Sequence, residues 1–271
     1  CASHLPFTIR HSYQTKENLL IYLVEHFFSI QGEGRYVGVP SLFFRFGGCN
    51  MRCEGFGCEQ QAPDGTMVLG CDTVYAVNRE HFASEWIEIK ELQQLLSVFD
   101  QYELPPNVDV VLTGGEPLMV ADDPIFVAFL EAMIGRGLRV TFETNGSLGV
   151  DFEKYPVYKA CVFALSVKLE NSGESYSKRI RPNTIFSLAT NAKEAFFKFS
   201  IDADSIDIGL DEQIEEILSH APGTQVYCMP VGGSRVEVEK NAMPLIEYCK
   251  VKGYTYSDRL HIRIWDEVHG V

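Results

Sequence analysis

The sequence predicts an α/β fold with a mainly parallel sheet covered by helices. Three observations predict it. Apolar runs of strand length, rich in β-branched and aromatic residues and bounded by Gly, Pro, Asn or Asp, recur along the chain. Amphipathic helical patterns alternate with them. The segments densest in glycine, cysteine and polar side chains follow strands, and in such sheets ligands gather at the carboxyl ends of the strands.

The strand candidates, in order, are "LLIYLVEHF", "SLFFRF", "VDVVLT", "LRVTFET", "VFALSVK", "EAFFKFSI", "QVYCMPV" and "RLHIRIW". Of the helices, "IKELQQLLSVF" sets Leu92, Leu95, Leu96 and Phe99 on one face. "DPIFVAFLEAMIGRG" opens with an acid and a proline and closes on Gly137. "DEQIEEILSH" carries acids in its first turn and His220 in its last, matching the helix dipole. "VEKNAMPLIEYCKVKG" contains Pro244 and is expected to kink or begin there.

A chain of 271 residues suits one large α/β domain or two small ones. Residues 1–17 are polar and aperiodic, so they are expected to form an extension outside a single domain over 18–271. Acids outnumber bases, giving a formal charge of −14. Such a surface repels phosphate backbones and anionic membranes, so nucleic acid and membrane are poor partners and a small molecule or a protein fits better. The longest apolar stretch, "NLLIYLV", is too short to span a bilayer, and no secretory signal is visible, so a cytoplasmic location is expected. In that compartment clustered cysteines bind metal or react more often than they pair. Cys161, Cys228 and Cys249 stand alone in apolar runs and read as core residues.

Residues 47–73, "GGCNMRCEGFGCEQQAPDGTMVLGCDT", hold four cysteines. Cys49 and Cys53 form C-x3-C; Cys58 and Cys71 follow. Structural zinc prefers two C-x2-4-C knuckles, and the second knuckle is missing here. Thiolates are also the usual ligands of iron–sulfur clusters, and three of them on a four-iron cube leave one iron open to a ligand.

C-x3-C with a third cysteine after one strand, and "TGGEP" after the next, resembles the radical S-adenosylmethionine (SAM) enzymes. More narrowly, "FSIQGEGRYVGVPSLFFRFGGCNMRC", "GCDT", "TGGEPL", "ETNGS" and the terminal "HIRIW" resemble the 7-carboxy-7-deazaguanine synthase family over nearly all of residues 24–271. The resemblance implies a partial, open TIM-like βα barrel. It implies a [4Fe-4S] cluster on Cys49, Cys53 and Cys71, although the superfamily's usual C-x3-C-x2-C would put the third cysteine nearer. The 17 residues between Cys53 and Cys71 fit a hairpin insertion over 54–70 turning at Asp64-Gly65, which adds little closure entropy. Cys58 is the rival third ligand.

The resemblance also implies SAM contacts at Gly70, Asp72, Gly114, Gly115, Glu116, Asn145, Ser166, Lys168 and Met229. Glycine lets backbone approach a ligand closely at the TGGEP turn. Ile30, Gln31, Gly32, Glu33, Arg45, Thr113 and the Val271 carboxylate are the implied substrate contacts. A carboxylate and an amide match an aminopyrimidine edge, and a guanidinium suits a substrate carboxylate. Thr73 is the implied Mg²⁺ ligand, its hydroxyl being completed by substrate oxygens. His261 reads as a half-buried strand residue rather than a pocket residue.

The activity implied is that of a radical SAM carbon–nitrogen lyase. It would contract the ring of 6-carboxy-5,6,7,8-tetrahydropterin, with loss of ammonia, toward queuosine and related 7-deazapurines. Implied partners are a low-potential flavodoxin- or ferredoxin-like electron donor and a second copy of the chain in a homodimer. The alternatives are another radical SAM reaction, such as glycyl-radical enzyme activation, or a zinc- or iron–sulfur-binding protein without turnover.

Overall fold

The computed structural model describes residues 20–206, 208–268 and 270. The expected extension over 1–17 and the Val271 carboxylate lie outside them. The strands are β1 (Ile21–Ile30), β2 (Pro40–Phe46), β3 (Cys58–Gln61), β4 (Met67–Gly70), β5 (Ile87–Ile89), β6 (Asp109–Gly114), β7 (Arg139–Thr144), β8 (Val162–Leu165), β9 (Glu194–Ile201), β10 (Gln225–Pro230) and β11 (Thr255–Tyr256).

Among the described residues, nine of these form one sheet in the order β11-β10-β9-β8-β7-β6-β2-β1-β5. From β2 to β11 every neighbouring pair is parallel, whereas β1 runs antiparallel to both β2 and β5. From β6 onward each new strand is added on the same side of the last. That one-way winding, with helices in the connections, is the topology of an open βα barrel rather than of a doubly wound sheet.

Side-chain alternation then divides the two faces of the sheet. Phe44, Phe46, Leu112, Phe142, Phe163, Leu165, Phe197, Phe199 and Cys228 join the main core. Phe126 and Phe129, from the helix Pro124–Gly135, meet them edge-on at Phe46 and Phe44. The opposite face is apolar low down, where Val162, Ala164 and Phe196 cluster. Toward the strands' carboxyl ends it becomes polar, with Arg45, Thr113, Glu143, Lys198 and Ser200.

Two sequence expectations change. "RLHIRIW" is not a strand: Leu260–Trp265 is a helix, and Ile262 alone is buried in it. The alternation of apolar residues in so short a segment fits either period. The helix through Pro244 neither starts nor breaks there. It runs from Arg235 to Lys252, opened by a capping box of Ser234 and Glu237 and closed by Gly253 in the left-handed region. Pro244 itself sits on an exposed face, which tolerates the lost backbone bond better than a buried one. Within 54–70, β3 and β4 pair antiparallel around the Asp64-Gly65 turn. No helix among the described residues is long and apolar enough to cross a membrane.

Candidate active site

One cavity of about 630 Å³ opens at the carboxyl ends of the parallel strands. It is lined by Ile30, Gln31, Gly32, Glu33, Arg45, Cys49, Cys53, Cys71, Asp72, Thr73, Thr113, Gly114, Gly115, Asn145, Ser166, Lys168 and Met229. Thus residues spread over 200 positions of sequence, all singled out above, share one wall system. Cys58 lines it too. Gly70 and Glu116 do not.

The cysteine end is built by two glycine loops lying back to back. The amide of Gly115 donates to Phe46 O at 3.1 Å and that of Glu116 to Gly48 O at 2.8 Å. A Cβ on Gly115 would stand 2.2 Å from Gly48 O, and one on Gly114 would stand 2.1 Å from Phe46 O. The glycines of "TGGEP" are therefore needed to bring the TGGEP turn against the cysteine loop. Glu116 lies beneath this contact. Its carboxylate accepts from Leu118 N (3.0 Å), Thr144 Oγ1 (2.7 Å) and Asn145 N (2.7 Å), so both oxygens are used in fixing the turn.

Behind Cys49, Asn145 Nδ2 donates to Asn50 Oδ1 at 2.9 Å, and Asn50 Nδ2 donates to Ser147 Oγ at 2.8 Å. Cys53 adopts φ +52°, a conformation uncommon outside glycine. Glu174 holds it there by accepting from the amides of Arg52 and Cys53 while its other oxygen takes Lys178 Nζ at 3.0 Å. Burial pushes the Cys49, Cys53 and Cys71 thiols up. Cys49 feels both Cys53 and Cys71, and Cys53 feels Cys71, whereas Cys58 is in range of Cys71. The Lys168 ammonium draws the Cys53 and Cys71 thiols back down and carries no hydrogen bond among the described residues.

The other end of the cavity is a lattice of charges. Lys198 Nζ lies 2.9 Å from Glu33 Oε2 and 3.1 Å from Glu143 Oε1. Glu143 also accepts from Gln31 Nε2 at 3.3 Å and Thr113 Oγ1 at 2.9 Å. Arg259 Nε donates to Glu33 Oε1 at 2.8 Å, and His261 Nε2 lies 3.8 Å from the same oxygen. Burial pushes the Glu33 carboxyl up, but Lys198, Arg259 and His261 outweigh it and hold the carboxyl well below its ordinary value. Burial lowers His261, and Glu33 only partly restores it. Arg45 Nε donates to Glu25 Oε1 at 2.6 Å, which also accepts from Tyr75 OH at 2.7 Å.

His261 therefore belongs to the cavity, correcting the strand assignment: a Cβ on Gly32 would overlap its ring at 2.0 Å. Sequence reasoning missed Glu25, Tyr75, Glu143, Lys198 and Arg259. Lys198 had a visible signal, a lone cation inside the apolar strand "EAFFKFSI". Glu143 opens the quoted "ETNGS" without having been singled out. Nothing local marks Arg259.

Residues 30–187 match the family described as a 4Fe-4S single cluster domain, which sets the chain among iron–sulfur proteins. A 7-carboxy-7-deazaguanine synthase of Rhodopirellula baltica is 31% identical over 274 residues, covering 97% of this chain and 92% of that protein. One from Halobacterium salinarum is 27% identical over 263 residues, covering 90% of each. The crystal structure of QueE from Escherichia coli shares the fold, with a TM-score of 0.60 at 20% identity over 91% of this chain and 100% of that one. The chain belongs to the 7-carboxy-7-deazaguanine synthase family.

Proposed function

We propose that this protein converts 6-carboxy-5,6,7,8-tetrahydropterin to 7-carboxy-7-deazaguanine as a radical SAM lyase. The observation that carries the reading is a single cavity with four cysteine thiols, Cys49, Cys53 and Cys71 among them, at one end and an amide–carboxylate–cation lattice at the other. The donor set fits the cluster. Cys49, Cys53 and Cys71 are within electrostatic reach of one another. Among the described residues no three His, Cys, Asp or Glu side chains converge on a single ion. A cluster whose thiolates each bind a different iron has no need of such convergence. When bound, the cluster and SAM supply one-electron cleavage chemistry that the protein's own groups cannot perform.

The chain's residues then bind and orient. Gly114, Gly115, Asn145, Ser166 and Met229 form the wall for SAM beside the thiols, and the Lys168 ammonium is the cation for its carboxylate. Asp72 and Thr73 face the same space, with Gly70 and Glu116 supporting from behind. Thr73 Oγ1, 3.4 Å from Cys71 Sγ, is the proposed protein ligand of Mg²⁺, the remaining sites falling to substrate oxygens and water.

At the far end, Gln31, Glu33 and Glu143 read the aminopyrimidine edge, since ionised carboxylates accept and an amide both donates and accepts. Ile30, Gly32 and Thr113 complete that wall. Glu25 holds Arg45 by Nε, which turns the rest of the guanidinium fork to the substrate carboxylate. A low-potential electron donor of flavodoxin or ferredoxin type, a homodimer and a cytoplasmic location complete the proposal.

The test is anaerobic turnover of reconstituted protein with SAM, reductant, Mg²⁺ and the pterin. The expected result is 7-carboxy-7-deazaguanine identified by mass, with slower turnover when Mg²⁺ is withheld. SAM cleavage indifferent to the pterin, with no deazaguanine formed, would overturn the proposal.

A further inference from the structure

Arg259 meets three walls of the cavity with one guanidinium. Its Nε donates to Glu33 Oε1 at 2.8 Å, in the loop after β1. Its Nη2 donates to Asp72 Oδ2 at 3.0 Å, between Cys71 and Thr73. Its Nη1 donates to Gly232 O, in the loop after β10. The Arg259 side chain is 13% exposed and that of Glu33 11%, so the bond between them is shielded from competing water, while Asp72 at 48% stands at the open side of the cavity. Glu33 and Asp72 are both carboxylates, and they take different nitrogens of this one fork.

The other cation on Glu33 behaves differently. Lys198 joins Glu33 to Glu143, both at the pterin end. Arg259 alone of the two reaches from the pterin end to the cysteine-bearing segment. A planar fork with separated donors can do this, whereas an ammonium is a single point of charge.

The main chain around Arg259 is anchored independently. Leu260 N donates to Gly32 O at 2.9 Å, and Gly34 N donates to Ser257 Oγ at 2.7 Å. Replacing the guanidinium therefore removes the fork and leaves the segment docked.

We infer that Arg259 is a positioning residue that couples the two ends of the cavity, so that bound pterin tightens SAM binding and bound SAM tightens pterin binding. The inference rests on the synthase reading above. Ordering of Glu33 by one ligand fixes the fork, and the fixed fork orders Asp72 and the Gly232 loop for the other. Thermodynamic linkage requires the effect to be equal in both directions.

The test is anaerobic calorimetric titration of the cluster-loaded protein with SAM, with and without saturating 6-carboxy-5,6,7,8-tetrahydropterin. The wild-type protein is expected to bind SAM roughly 5-fold or more tightly when pterin is present. In Arg259→Gln that ratio falls to about one. Arg259→Lys keeps the positive charge beside Glu33, so pterin still binds, yet the ratio is lost because lysine cannot span to Asp72 and Gly232. Lys198→Gln weakens pterin binding and keeps the ratio. A wild-type ratio that survives both Arg259 substitutions, or a wild-type ratio of about one, overturns the inference alone. Wild-type protein that binds SAM and no pterin overturns the synthase reading, and the inference with it.

Discussion

Replacing Lys198 with methionine tests the charge lattice directly. Lys198 is 5% exposed and bonds two carboxylates. Removing one partner of a buried ion pair costs about 3–5 kcal/mol, because the remaining charge stays buried. Here Glu33 keeps Arg259 and His261, and Glu143 keeps Gln31 and Thr113, so the low end applies, about 3 kcal/mol.

The pH dependence has a definite sign. Burial pushes Glu33 up and its cations outweigh that, so its folded value lies below the ordinary 4.5. Its contribution is complete above that value and is lost as pH falls through the folded one. Burial lowers Lys198, but Glu143 and Glu33 outweigh that and lift it above 10.5. Its contribution is complete below 10.5 and is lost as pH rises through the folded value. The wild-type pair is thus at full strength between 4.5 and 10.5.

In Lys198→Met the Glu33 carboxyl loses one of its two hydrogen-bonded cations and its value rises. The variant's deficit should shrink as pH falls from about 7 to about 5. Urea unfolding of both proteins at the two pH values measures it. A deficit below about 1 kcal/mol at neutral pH, or the same deficit at both, would refute the reasoning.

Gly115→Ala should separate the two glycine loops, since the new Cβ would meet Gly48 O at 2.2 Å. The expected cost is about 1–3 kcal/mol by urea unfolding, with a fall in iron bound per chain. Burial pushes Asp109 up to about 6, with Arg139 and Thr141 pulling back only in part. The folded state holds that proton more tightly than the unfolded one, so stability falls as pH rises through 3.8 to about 6. The effect is up to about 3 kcal/mol, and Asp109→Asn should abolish it in the same titration. Cys71→Ala should lose the cluster and Cys58→Ala retain it; iron counting on the two separates the rivals, and the opposite pattern would move the third ligand to Cys58.

The parallel strands β2 and β6 to β10 were legible because they are short, apolar and punctuated, whereas the two-residue β11 at the sheet's edge was not. "EAFFKFSI" is β9 residue for residue. The loops after "SLFFRF" and "VDVVLT" converge because parallel strands put their carboxyl ends on one side. What was illegible came from outside that pattern. "HIRIW" alternates like a strand over too few residues to decide its period, and its conversion to a helix hid both Arg259 and His261. Capping at Ser234 outweighed the proline at 244, since a helix start is fixed locally and an exposed proline costs one backbone bond. The charge lattice was out of reach for another reason. Its partners lie 165 residues apart for Lys198 and Glu33 and 226 apart for Arg259 and Glu33, so no local spacing encodes them.

The central claim is that Cys49, Cys53 and Cys71 hold a cluster with one iron left to SAM. The most direct measurement is the electron paramagnetic resonance spectrum of the reduced, anaerobically reconstituted protein before and after SAM is added, with iron counted on the same sample. The account predicts about four irons per chain and a signal whose g-values shift on adding SAM. A single bound zinc, or a cluster signal unchanged by saturating SAM, would contradict it.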